Sequence, residues 1–218
     1  MPDDTRIRIL NAAGPIFAEK GFESSTVREI CEAAEVNVAS VNYHFGDKSE
    51  LYRQTVSHAR ELTLIQVPWP ELGEDAGTRD QLFAFVTTML NRLLGNESQP
   101  WQSRLMMREI LSPTENCRSM VREFFQPRLE TLIAILEPVF PAQLEEHKRQ
   151  KFAFSVMGQC LFYRAAEGVF KLVVPEEQRS ANFQIEQLAN HITHVTLLSL
   201  GVTDPHCQTA ISEAGAES

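Results

Sequence analysis

Residues 26–45 read Thr26-Val-Arg-Glu-Ile-Cys-Glu-Ala-Ala-Glu-Val-Asn-Val-Ala-Ser-Val-Asn-Tyr-His-Phe45. Thr26 precedes Glu29 by three positions, so each side chain can bond the other's backbone N–H and start a helix over 26–34. Glu35-Val36-Asn37 leaves room only for a tight connection, and a short second helix follows over 38–44. Two short helices joined in this way have the lengths of a helix-turn-helix. The second one suits a major groove. Val38, Ala39, Ser40 and Asn42 are compact enough for its N-terminal end to reach base edges, where a methyl group meets thymine and an amide bonds adenine. Tyr43, His44 and Lys48 are longer and stand where phosphates lie. Asn37 can cap the helix, whose free N–H groups attract a phosphate. The lengths alone also fit two neighbouring helices of any small bundle. Residues 1–60 hold seven Lys or Arg against nine Asp or Glu, so a basic footprint is absent.

Outward from this stretch the same start signal recurs at Asp47–Glu50, Thr78–Gln81 and Ser112–Glu115. The last adds Pro113 at the first helical position, where a missing N–H costs nothing. Alternation fits only scraps of the chain and no Asn-Gly or Asp-Gly hairpin turn occurs, so no sheet is expected. The reading is all-α, with about nine helices near 5–20, 26–34, 38–44, 48–65, 79–95, 99–111, 113–136, 141–172 and 181–200. The first three share an apolar set, Ile9, Ala13, Ile16, Phe17, Phe22, Val27, Ile30, Val36, Val41 and Phe45, sufficient for one small core. Beyond Val67-Pro-Trp-Pro70 and the loop to Gly77 the helices lengthen and become more apolar. Three regions are expected: a helix-turn-helix DNA-binding domain over 1–47, a helical effector-binding and dimerisation domain over 48–203, and a disordered tail over 204–218.

Composition narrows the function. Of 218 residues, 43% are hydrophobic and 22% charged, which is the make-up of an ordinary folded chain. The most apolar run, 152–174, is broken by Gln159, Arg164, Glu167 and Lys171, so no membrane span is expected. Met1 to Arg6 lacks a basic region followed by an apolar core, and no export signal is expected. Cys31, Cys117, Cys160 and Cys207 lie far apart, with neither a disulfide framework nor a zinc spacing, which fits a reducing, cytoplasmic setting. A net charge of -9 excludes coating of nucleic acid through overall charge, so any DNA contact must be local. No G-x-S-x-G elbow, H-E-x-x-H helix, phosphate loop or dinucleotide fingerprint is present, and neither enzymatic activity nor a cofactor is expected. His191 and His194 are three apart, but two ligands without a converging third do not make a metal site, and no metal is expected.

One block, Ile9-Leu-Asn-Ala-Ala13, Phe17-Ala-Glu-Lys-Gly-Phe22, Thr26-Val-Arg-Glu-Ile30, Ala33-Ala34, Val36, Val41-Asn-Tyr-His-Phe45 and Asp47-Lys48-x-x-Leu51, resembles the tetracycline-repressor (TetR) family of bacterial one-component regulators. The resemblance implies that Arg28 reaches a base or phosphate and Thr26 a phosphate. It implies that Asn37, Val38, Ala39, Ser40 and Asn42 face the groove while Tyr43, His44 and Lys48 hold the DNA backbone. His44, beside two aromatics, has packing as an alternative role. Three positions depart from the family pattern. Glu35 stands where the turn usually has glycine, Asn42 where an aromatic is common, and Gly14-Pro15 should kink the first helix or shift its regular part. Farther on, Arg108-Glu109-x-x-x-Pro113-Thr114, Phe125-x-Pro127-Arg128 and the apolar 152–174 helix are similar to the C-terminal domain of the CecR-like branch of that family.

The resemblance implies a ligand-controlled transcription factor, in most members a repressor, that binds a near-palindromic double-stranded operator as a homodimer and is released by a small-molecule effector. A transcriptional activator of the same fold, or a helical adaptor that binds no DNA, stays open. The last two long helices would form the dimer interface, and Leu188, Ile192, Val195 and Leu198 make the apolar stripe for it. An effector cavity is expected among residues 79–172. Arg104, Arg108, Gln159, Tyr163 and Glu167 are its polar groups, and Trp101, Met106, Phe124, Met157 and Phe162 its apolar walls. The same residues also suit an ordinary core.

Overall fold

A computed structural model of the chain describes residues 4–71, 75–95 and 101–203. The tail expected over 204–218 lies outside them. Among the described residues there is no strand, and eleven α-helices stand against the nine expected: α1 (Asp4–Ser24), α2 (Val27–Ala34), α3 (Val38–Phe45), α4 (Lys48–Gln66), α5 (Thr78–Leu94), α6 (Trp101–Leu111), α7 (Arg118–Leu136), α8 (Glu146–Ala165), α9 (Glu167–Val173), α10 (Glu176–Asn182) and α11 (Ile185–Ser199). The expected helix over 141–172 is two, because the backbone leaves helical dihedrals at Ala166 (φ -104, ψ 23). The helix expected from 113 begins at Arg118, after a 3-10 turn over Glu115–Cys117. There Thr114 makes no cap for the turn and gives its N–H and hydroxyl to Glu109 instead.

The chain groups into two compact units, one of residues 1–68 and 94–126, the other of 69–93 and 127–218. This differs from a division at residue 48. In the first unit α1 packs on α2, α4 and α6, and α4 packs on α6. Ile9, Ala13, Phe17, Ile30, Val41 and Phe45 are buried as expected, but their core runs on into Leu51, Tyr52, Val56 and Ala59 of α4, Leu105 of α6 and Cys117. A unit of about 45 residues buries little apolar surface by itself, and each further large side chain enclosed adds about 1.5–3 kcal/mol.

Helix α1 does not break at Gly14-Pro15, which stays helical. The departure comes at Gly21, with φ 77 and ψ 178, a region essentially confined to glycine. Gly14 has a different use: a Cβ there would overlap the indole ring of Trp101, so α1 and α6 approach closely only because residue 14 has no side chain.

In the second unit Leu82, Phe85, Val86, Met89 and Leu90 of α5, Leu132 and Leu136 of α7, Ala153, Val156, Met157 and Cys160 of α8, and Leu188, Ala189, Ile192 and Leu197 of α11 are buried. Trp69 stacks on Phe85 at 5.1 Å, and the Arg92 guanidinium lies 4.3 Å over the Trp69 ring. No helix of the described residues is long and apolar enough to cross a membrane.

Candidate nucleic-acid interface

The helices of the candidate interface are held by caps. At the start of α2, Glu29 N–H donates to Thr26 Oγ1 (3.2 Å), while Thr26 N–H and Oγ1–H both donate to Glu29 Oε2 (2.9 Å each). Lys20 Nζ adds an ion pair to Glu29 Oε1 at 2.5 Å. Lys20 first, then the two Thr26 bonds, hold the Glu29 carboxyl down at about 2. At the other end of α2, Glu35 takes the position where the family pattern has glycine and adopts the left-handed conformation itself (φ 54, ψ 46). Its N–H donates to Glu32 O (3.3 Å) and Val36 N–H to Cys31 O (3.0 Å). That pair of bonds is a Schellman closure, and it fixes the turn into α3.

Asn37 caps α3 as expected, its Oδ1 accepting from Ser40 N–H (2.9 Å) and Ser40 Oγ–H (3.0 Å). Val41 and Phe45, one turn apart, are buried. The opposite face carries Val38, Ala39, Asn42 and Tyr43, all exposed, with Tyr43 at 85%. A tyrosine and a valine thus stand in water on one face of an eight-residue helix. Ser40 and His44 are half-buried at its edges, and the His44 ring stands edge-on to Tyr43 at 5.0 Å.

Thr26 and Arg28 are exposed at the start of α2. Arg28 meets Glu32 at 3.2 Å with side chains 87% and 68% exposed, an ion pair weak enough to exchange for a phosphate. Lys48 follows α3 and is held back: its Nζ lies 4.7 Å over the Phe22 ring and 3.4 Å from Glu23 O. Asp47 caps α4 through Glu50 N–H (2.8 Å).

The ten expected effector residues divide between the two units. In the first, Trp101 lies on Gly14, Met106 packs partly on the core, Phe124 is half-buried edge-on to Phe125, Arg104 is exposed, and Arg108 lies against Gly21. In the second, Met157 is buried, Gln159 Nε2 bonds Ser155 O (3.4 Å), Phe162 is exposed, and Tyr163 meets the rings of Phe162 and Phe170. Glu167 begins α9 rather than continuing the row of Gln159 and Tyr163, and pairs with Arg164 (2.5 Å) and Lys171 (2.6 Å). Of the interface stripe, Leu188 and Ile192 are buried within their own unit, whereas Val195 and Leu198 are exposed. His191 is exposed and His194 half-buried, and no cluster able to hold a metal occurs among the described residues.

Two arrangements were not legible in the sequence. Glu109 is buried, and its carboxylate accepts from Tyr52 Oη–H (2.6 Å), Thr114 N–H (3.0 Å) and Thr114 Oγ1–H (3.1 Å). Burial and this carboxylate push the Tyr52 phenol up, and push the Cys117 thiol up to about 12. Arg92 is also buried, and burial with the nearby Arg128 lowers it to about 10. Neither spacing repeats along the chain, so no periodic signal announces them.

Residues 9–55 match the family model of bacterial regulatory proteins of the tetR type. Residues 78–201, more than half of the chain, match that of the C-terminal domain of the HTH-type transcriptional dual regulator CecR. This chain belongs to the TetR family. Among curated relatives, the HTH-type transcriptional regulator UidR of Escherichia coli K12 is 28% identical over 108 residues, 50% of this chain and 50% of UidR. The probable regulator YttP of Bacillus subtilis is 39% identical over 61 residues, 28% of this chain and 30% of YttP. The chain thus spans half or less of the length of these relatives. A tetR-family regulatory protein from Rhodococcus RHA1 has a TM-score of 0.69 at 17% identity, over 93% of this chain and 100% of that one. AibR, solved with isovaleryl coenzyme A and operator DNA, has a TM-score of 0.65 at 16% identity, over 88% and 97%. At such identities the structural likeness concerns the TetR fold alone.

Proposed function

We propose that the chain is a ligand-responsive transcriptional regulator that binds a near-palindromic operator as a homodimer, represses, and is released by a small molecule. The carrying observation is α3: capped by Asn37, anchored by Val41 and Phe45, and presenting Val38, Ala39, Asn42 and Tyr43 to solvent. Residues 1–47 supply the DNA-binding part and 48–203 the effector and dimer part, in a cytoplasmic protein without a catalytic step. Thr26, Arg28, Tyr43, His44 and Lys48 take phosphates, and Asn37, Val38, Ala39, Ser40 and Asn42 face bases. AibR, of the same fold, was solved with operator DNA and an acyl thioester, which supports both halves of the reading.

The homodimer draws support from α8 and α11, which pack on each other while Phe154, Phe162, Val195 and Leu198 remain exposed on them. The test is a titration of labelled duplex from beside the protein's own gene, with excess unrelated competitor, at several salt concentrations. Specific, salt-sensitive binding is expected, with a log–log slope about one unit shallower for Lys48→Ala. A folded dimer that selects no sequence even from random DNA would overturn the reading in favour of a protein adaptor.

A further inference from the structure

The kink at Gly21 opens a cavity that takes in only Arg108 of the ten expected effector residues and none of the expected DNA-binding ones. It has a volume of about 420 Å³ and is walled by the end of α1 (Lys20 to Ser24), by Tyr52 of α4, by Arg108, Glu109 and Leu111 at the end of α6, and by Ser112 and Thr114 just beyond it. A side chain on residue 21 would overlap the Arg108 guanidinium, so the glycine leaves room for the arginine as well as allowing the turn. Among the described residues this guanidinium makes neither a hydrogen bond nor an ion pair. Glu109 beside it makes no ion pair with the guanidinium; its carboxylate oxygens accept three hydrogen bonds, from Tyr52 and Thr114. Lys20 is occupied by Glu29, and Glu23 is exposed. A planar fork of five donors thus borders a cavity whose walls include Phe22, Tyr52 and Leu111.

We propose that this cavity binds a small organic anion, a carboxylate or phosphate on a short apolar body, with Arg108 gripping the anionic oxygens in two-point fashion and Phe22 and Leu111 covering the body. Occupancy reaches the DNA-facing surface directly. Phe22 and Glu23 wall the cavity, and these same two residues hold Lys48, one by its ring and one by its carbonyl. A ligand that shifts them shifts Lys48.

The test is a magnetic-resonance titration of the full isotope-labelled chain with benzoate and with phenyl phosphate, reading the Gly21 amide, the Arg108 Nε–H and the Lys48 side-chain methylene beside Nζ. Benzyl alcohol serves as the uncharged control. Saturable shifts at all three groups with either anion, none with the alcohol, and affinity weakened about tenfold in Arg108→Ala are expected. Arg108→Lys, which keeps the charge without the fork, should fall between. Absence of saturable shifts at Gly21 and Arg108 with both anions, equal response to the alcohol, or undiminished affinity in a folded Arg108→Ala variant overturns the site. Saturation at Arg108 with Lys48 unmoved overturns the coupling. No DNA is present, so the outcome is independent of whether the protein binds an operator.

Discussion

Glu35 holds a left-handed backbone that a side chain makes costly by about 1–2 kcal/mol, and the Schellman bonds around it require that conformation. Glycine would relieve the strain while adding freedom to the unfolded chain, worth about 0.4–1 kcal/mol the other way. Glu35→Gly should therefore raise stability by up to about 1.6 kcal/mol, read as a higher denaturant midpoint at unchanged slope. Gly21→Ala should do the opposite, by about 1–3 kcal/mol, since its φ of 77 with ψ of 178 suits only glycine. Glu29 adds a pH dependence. Its folded carboxyl is held at about 2 against the ordinary 4.5, so its contribution is complete above the ordinary range and is lost as pH falls from 4.5 toward 2. The stability difference between wild type and Glu29→Gln should shrink across that window in acid titrations followed by circular dichroism. At this scale the caps at Thr26, Asn37 and Asp47 were legible, because a side chain bonding the backbone three positions away is a local event. The Gly21 kink was not: its partner Arg108 comes from a different helix.

Among the elements, α1 to α6 followed their expected spans closely, and α8 to α10 did not. Apolar periodicity runs through Ala166 with no Pro there and with Gly168 two residues on, inside α9, so the break is visible only in the backbone dihedrals at Ala166 and in the aromatic series Tyr163, Phe170 and Phe183. The tie between α4, α6 and the turn before α7 was equally invisible, since it depends on a buried carboxylate meeting a tyrosine 57 positions away. Tyr52→Phe removes the donor that Glu109 receives from α4 and should destabilise the fold by about 1–3 kcal/mol, measured by equilibrium denaturation. Shape is preserved in that variant, so the loss reports the hydrogen bond rather than packing.

For the molecule as a whole, the proposed near-palindromic operator would require two copies of α3, and the proposed homodimer would rest on the apolar surface of α8 and α11. Half of the stripe legible on α11 turned inward: Leu188 and Ile192 complete the unit's own core, because a helix facing both a bundle and solvent divides its apolar residues between the two. Replacing Leu198 and Phe154 together by Glu should give a folded monomer in sedimentation equilibrium, and one that binds operator DNA far more weakly. In the proposed function the exposed face of α3 reads sequence. Selection of binding sites from random duplex DNA, run in parallel for the wild type and Asn42→Ala, tests it most directly. A near-palindromic motif whose preference relaxes at one symmetric pair of positions in the variant is the predicted result, with about 1–3 kcal/mol of discrimination lost there. Identical motifs from both proteins, or no motif from either, would contradict it.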